Sequence, residues 1–228
     1  MTNFILNPIP FQIDLPALLK EAHLKENSLL VADFTRMAKQ AQAAARPKVL
    51  YKVSLVELEG DQTVQLDRVR FSSRVLRVNL GNVHCVFPFL ATCGSEMAAW
   101  AEAFDDLLES FWTELLMEHA LYAAIQFFEA HIAVLYQPGV VASMNPGSLP
   151  DWPLTEQAPL FSLLGDTRQQ VGVHLTDSML MVPTKSVSGI LFPAEEGYAN
   201  CQLCPRQACP NRRAPYDEML YARKYQKN

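Results

Sequence analysis

Three of the five cysteines in this 228-residue chain, Cys201, Cys204 and Cys209, fall within nine residues near its C-terminus. Thiolates crowded into one loop repel or oxidise unless something binds them, and soft sulfur ligands select Zn(II) or an iron–sulfur cluster. An iron–sulfur cluster is the first expectation, because structural zinc takes four protein ligands and only three cysteines are local. A cluster can leave one iron to an outside ligand. Zinc stays open as the alternative, with Cys85, Cys93, His84 or His174 completing the set. A disulfide with a spare thiol, or three inert thiols, is the plain alternative to a metal site. Cys85 and Cys93 themselves read as small buried apolar groups, and His84 as structural.

The elements that must carry this tail are legible from periodicity. Ser28 to Ala45 places Leu30, Phe34, Met37, Ala38 and Ala41 on one face and stops before Pro47, which predicts a helix. Val49 to Leu58 alternates as a strand buried on one side. Ser72 or Ser73 is placed to cap a short helix through Leu80 that Gly81-Asn82 closes in the left-handed conformation. Val83 to Thr92 is short and apolar and reads as a strand buried on both faces, against which Pro88 argues. Ser95 to Tyr136 lacks Gly and Pro and carries Leu107, Leu108, Phe111, Leu115, Ala120 and Ala123 at three- and four-residue steps: a long helix or helix pair. Its aromatic residues read as core and its acids, Glu114 and Glu118 among them, as a wet face. His119 and His131, twelve residues apart, lack the spacing of a shared ligand face. Beyond Gly139 come short extended pieces, a helix near Gln157 to Leu164, and strands near Val171 to Leu175, Met179 to Val182 and Val187 to Phe192. Helices early, strands late and no βαβ alternation predict an α+β fold with an antiparallel sheet and packed helices.

Composition narrows the function classes. Half the residues are hydrophobic and 19% charged, enough for a substantial core. A net charge of −5 gives no reason to expect nucleic acid. Arg206, Arg212, Arg213, Arg223, Lys224 and Lys227 make the tail locally basic, either a solvated surface or a patch for an acidic partner. No stretch of about twenty uncharged apolar residues suggests a membrane span, and the expected location is cytoplasmic, where thiols stay reduced.

Several phrases of the second half resemble a known family in its own order: Asn145-Pro146-Gly147, Asp151-Trp152-Pro153-Leu154-Thr155-Glu156-Gln157, Leu160 to Leu164, Val171 to Ser178, and Met181 to Phe192. Together with Phe89 to Glu96, a strand-to-helix turn, they look like the activation domain of cobalamin-dependent methionine synthase, over roughly Val49 to Phe192. With the helical pattern before it and the cysteines after it, this predicts a division into an N-terminal helical segment (1–48), the activation-domain-like core that the resemblance implies (49–192) and a cysteine-rich metal-binding tail (193–228).

In that family the domain binds S-adenosylmethionine and packs over the corrinoid once cobalt has drifted to Co(II); reduction and methyl transfer then restore methylcobalamin. Carried over, the resemblance implies that Asn145, Pro146 and Gly147 line a nucleoside pocket, with Ser186, Val187, Ser188 and Gly189 near it or near the corrinoid. The family's motif has an arginine before the Pro-Gly pair and a tyrosine after it, where this chain has Ser143 and Ser148. Without the guanidinium, the methionine carboxylate loses its bidentate partner, which predicts that S-adenosylmethionine binds weakly or not at all.

Two function classes follow from the resemblance and the tail. One is an accessory protein that reductively reactivates a corrinoid held by a separate protein, its own cluster receiving electrons from a donor protein. The other is a non-catalytic module that docks on a corrinoid protein or methyltransferase, with zinc pinning the tail.

Overall fold

The computed structural model describes residues 2–25, 27–194, 198–209 and 212–226. Its centre is β6 (Cys85–Thr92), buried from Val86 to Thr92. The sequence pattern of a strand covered on both faces is thus realised. On one edge β6 pairs antiparallel with β10 (Ser186–Pro193), which pairs in turn with β7 (Val141–Met144). On the other edge β6 pairs with β2 (Lys48–Lys52) and then with β3 (Ser54–Glu59). Pro88 is tolerated because it stands in the gap on this edge, between the β2 register ending at Phe89 and the β3 register beginning at Val86. The expected single strand from Val49 to Leu58 is therefore two strands that turn at Val53. Beyond them β4 (Thr63–Leu66) and β5 (Val69–Ser72) continue the curl, and β1 (Asn3–Leu6) extends the sheet beyond β2. The N-terminal segment thus contributes a strand as well as two helices, α1 (Leu15–Glu21) and α2 (Val31–Ala44).

Period-two alternation on β2 and β6 distributes the core. Val49, Tyr51, Phe89 and Ala91 face α5 (Leu107–Tyr136), whereas Leu50 and Leu90 face α6 (Gln157–Leu164) and the end of α7 (Thr167–Val171). Along α5 the buried positions Trp112, Leu116, Ala120, Ala124, Phe128 and Ile132 recur at four-residue steps. Its first half packs on α2 and α4 (Ser95–Ala101), its second half on the sheet. The long apolar segment is a helix pair because Asp106 caps α5, its carboxylate accepting from Leu108 N at 2.8 Å and Glu109 N at 3.2 Å.

Ser73 caps α3 (Arg74–Asn79), accepting from Leu76 N at 3.0 Å. Gly81 does not close that helix in the left-handed region; Leu80 ends it at φ −94° and Gly81 makes a turn with negative φ. Val171 belongs to a helix, and the strand expected around it shrinks to β8 (His174–Leu175), paired with β9 (Met181–Val182). The fold is α+β with a curled antiparallel sheet and packed helices, as the lack of βαβ alternation implied.

The packed core does not end at Phe192. Residues 198–209 and 212–226 lie outside the sheet yet return to it: Tyr198, Leu203, Cys204 and Leu220 pack on the core of β4, β5 and α3, and Tyr225 is 1% exposed. Its hydroxyl donates to Asn79 Oδ1 at 2.9 Å, and Arg74 Nε donates to its carbonyl at 2.9 Å. Lys227, part of the basic run, lies outside the described residues.

Candidate functional site

The Asn145-Pro146-Gly147 turn leaves β7 and is fixed on several sides. Gly147 takes φ +84°, donates to Trp152 O at 2.8 Å and has Leu154 against it, where a Cβ would lie 2.9 Å from Leu154 Cδ1. Trp152 is fully buried, and the Asp151 carboxylate accepts from Val75 N at 3.0 Å and from the Ser73 hydroxyl. A rigid loop therefore presents Asn145. Its Nδ2 donates to Ser188 O at 2.9 Å, tying the loop to β10. Gly189 permits this approach: a Cβ there would overlap the Asn145 side chain and the Met144 carbonyl.

These two segments, about forty residues apart, flank a cavity of about 710 Å³. Of the residues the resemblance singled out, Asn145, Ser186 and Val187 line it. Ser143 and Ser148, where the family has arginine and tyrosine, line it too. Pro146 is buried and Gly147 exposed away from its wall, and Ser188 and Gly189 are buried in the strand behind Asn145. Ser186 is also turned inward, its hydroxyl donating to Thr92 Oγ1 at 2.9 Å.

The opposite wall is α5: Glu118, read as wet face, and Tyr122, read as core, line it together with Ile125 and Glu129. Tyr122 donates to Glu118 at 2.8 Å. Burial, and then that bond to a carboxylate, push its phenol up to about 12, so it stays a neutral donor at physiological pH. Lys185 closes one end through ion pairs to Glu114 (2.8 Å) and Glu118 (3.8 Å). The available signal was the spacing of Glu114, Glu118, Tyr122 and Glu129, a polar stripe on an otherwise apolar helix. The partners of that stripe lie too far off in sequence to be inferred from it.

The third wall is the tail: Tyr198, Ala199, Asn200, Cys201 and Arg213 line the same cavity. Cys201, Cys204 and Cys209 are half-buried and share one loop, gathered around the Arg212 guanidinium. That group donates to the carbonyls of Cys201 (3.0 Å), Ala214 (3.2 Å), Cys204 (3.3 Å) and Arg206. The Cys201 sulfur accepts from Arg213 N at 3.3 Å. As placed, the three thiols do not make a ligand set: among the described residues no three His, Cys, Asp or Glu side chains are grouped to hold a metal ion. The reason is that backbone carbonyls and an arginine, not the sulfurs, converge at the loop's centre. His84 and Cys85, offered as further ligands, line a separate hollow of about 850 Å³ that shares only Tyr198 with the cavity. Cys93 is fully buried in the α2–α5 core, its thiol pushed up to about 12 by burial. Among the described residues, no helix is long and apolar enough to cross a membrane.

The sequence model of the family described as "Vitamin B12 dependent methionine synthase, activation domain" matches residues 101–203. That span begins later than the resemblance seen in the sequence and runs past Phe192 into the tail. No curated protein matches. Among solved structures, one described as the MetH reactivation domain bound to AdoHcy superposes with a TM-score of 0.56, at 18% identity over 83% of this chain and 73% of that one. At that identity the likeness speaks for the fold, and the fold agrees with the family match. Over residues 101–203 the chain is thus similar to the vitamin B12-dependent methionine synthase activation domain, and it shares the fold of the solved reactivation domain.

Proposed function

We propose that this protein serves corrinoid-dependent methyl transfer as the activation domain does, holding an adenosyl ligand of the S-adenosylmethionine class in the 710 Å³ cavity and assisting reductive reactivation of a corrinoid on a separate protein. The observation that carries this reading is the convergence on one cavity of Asn145, Ser186 and Val187. In this reading Asn145, Ser186 and Val187 contact the ligand. Pro146 and Gly147 hold the loop, and Ser188 and Gly189 seat Asn145 against β10. The solved relative, by its own description, holds AdoHcy. The Tyr122 oxygen, whose O–H is given to Glu118, can accept from a nucleoside's hydroxyls, and the serine hydroxyls of the wall can donate to its ring nitrogens.

The test uses the cobalamin-binding part of a methionine synthase in its Co(II) form, under anaerobic reducing conditions with S-adenosylmethionine. Addition of this protein should speed the loss of the Co(II) absorbance. A rate unchanged by saturating protein overturns the reading.

A second reading is favoured by the place of Cys201 on the cavity wall: the thiols of Cys201, Cys204 and Cys209 take up a soft metal, iron–sulfur first and zinc as the alternative, beside the ligand. Loading would require the loop to turn its sulfurs inward. Iron, sulfide and zinc analysis of anaerobically purified wild type and Cys204→Ser should then show metal in the first and none in the second. Equal content in both removes this reading without touching the first.

A further inference from the structure

Four charged side chains line the cavity: Glu118, Glu129, Lys185 and Arg213. Lys185 and Glu118 face each other, and Lys185 is held closer still by Glu114. Arg213 and Glu129 are different. Neither side chain has a hydrogen-bond or ion-pair partner among the described residues, and they do not pair with each other. The Arg213 backbone, by contrast, is fixed: its N–H donates to the Cys201 sulfur, and the preceding Arg212 anchors the loop to four carbonyls. A positioned chain thus brings an unpaired guanidinium to a wall on which Ser143 supplies no charge.

We propose that Arg213 is the carboxylate-binding residue of the cavity, reached from the C-terminal loop, and that the ligand carries an α-amino acid head. The proposal rests on the reading of the cavity as an adenosyl-ligand site and adds the group that recognises the ligand's far end. A guanidinium offers two parallel N–H donors to a carboxylate, a geometry that no serine reproduces. Glu129 on the facing helix disfavours a purely anionic ligand such as a phosphate and suits the ammonium of a zwitterionic head. The weak binding expected from Ser143 is therefore reversed by a residue seventy positions further on.

Two probes separate the head from the rest of the ligand: S-adenosylhomocysteine, which has the amino acid head, and 5′-methylthioadenosine, which lacks it. Calorimetric titration of wild type, Arg213→Ala and Arg213→Lys should show about 10- to 100-fold weaker S-adenosylhomocysteine binding in the alanine variant and an intermediate loss in the lysine variant. Methylthioadenosine affinity should be the same in all three. Equal S-adenosylhomocysteine affinity in wild type and Arg213→Ala, with both folded by circular dichroism, overturns the role of Arg213 and leaves the cavity reading standing. A parallel loss of both ligands in Arg213→Ala also overturns it, because the effect is then not on the head. If wild type binds neither probe, the adenosyl reading falls and this proposal with it.

Discussion

The single residue on which the candidate site most depends is Gly189. Among the described residues the Asn145 side chain makes one hydrogen bond, from Nδ2 to Ser188 O, and the room for that bond exists because β10 has no Cβ at 189. The Met144 carbonyl and the Phe89 ring close the remaining space, so an added methyl has nowhere to go without parting β7 from β10. Gly189→Ala should therefore lower stability by about 1–3 kcal/mol, the usual cost of overfilling a packed site. It should also weaken adenosyl-ligand binding more than Gly60→Ala does, since Gly60 sits in a turn where a Cβ meets nothing, at strained positive φ. Denaturant unfolding and ligand titration of the two variants make the comparison, and equal effects would show that Asn145 has no special hold on the site. The resemblance singled the glycine out as one of the four residues from Ser186 to Gly189 near the pocket. In the structure it lies mid-strand, where the Asn145 side chain occupies the space a Cβ would take.

At the scale of elements, legibility followed the range of the forces involved. The α2 stripe from Phe34 to Ala41, the Ser73 cap and the α6 segment depend on neighbours within four residues, and each lies where the sequence put it. The fully buried β6 was legible for the same reason, as an unbroken apolar run. What was not legible depends on pairing at a distance. The break between β2 and β3 is set by where β6 changes partner, and β1 becomes a strand only because Lys48–Lys52 offers it an edge. Val171 ends a helix because Asp166 caps α7, accepting from Gln169 N at 3.0 Å, and Gly172 terminates it at φ +78°. The polar side of α5 was the costliest omission. Glu118 and Glu129 look like solvent-facing residues, and Tyr122 like core, until the tail is folded over them, and no local pattern announces that contact. The cysteine cluster shows the converse: its spacing spoke for a metal, whereas the structure gathers the loop around Arg212, a residue the sequence marked only as part of a basic run.

At the scale of the molecule, the cavity is assembled from α5, β7 and the loop after it, β10 and the C-terminal loop, with Phe89 of β6 behind them, so segments from Phe89 to Arg213 meet on it. Its third wall has the least support of its own. Residues 198–209 and 212–213 are tied down by Arg212 and, further on, by Tyr225 in the core. Removing Arg212 should therefore act on the wall and spare the fold. In Arg212→Ala the carbonyls of Cys201, Cys204, Arg206 and Ala214 lose their shared donor, while the cores around Phe34 and Leu90, which hold no residue of that loop, are untouched. Hydrogen exchange should rise in the 198–214 region and stay unchanged in β6 and α5, and adenosyl-ligand affinity should fall by about tenfold or more, because Arg213 loses its fixed neighbour. Saturating ligand should restore part of the protection in the wild type's pattern, as binding favours the closed arrangement. Increased exchange spread over the sheet would mean instead that Arg212 supports the whole fold. An Arg212→Ala protein with undiminished affinity would show that the tail covers the cavity without shaping it.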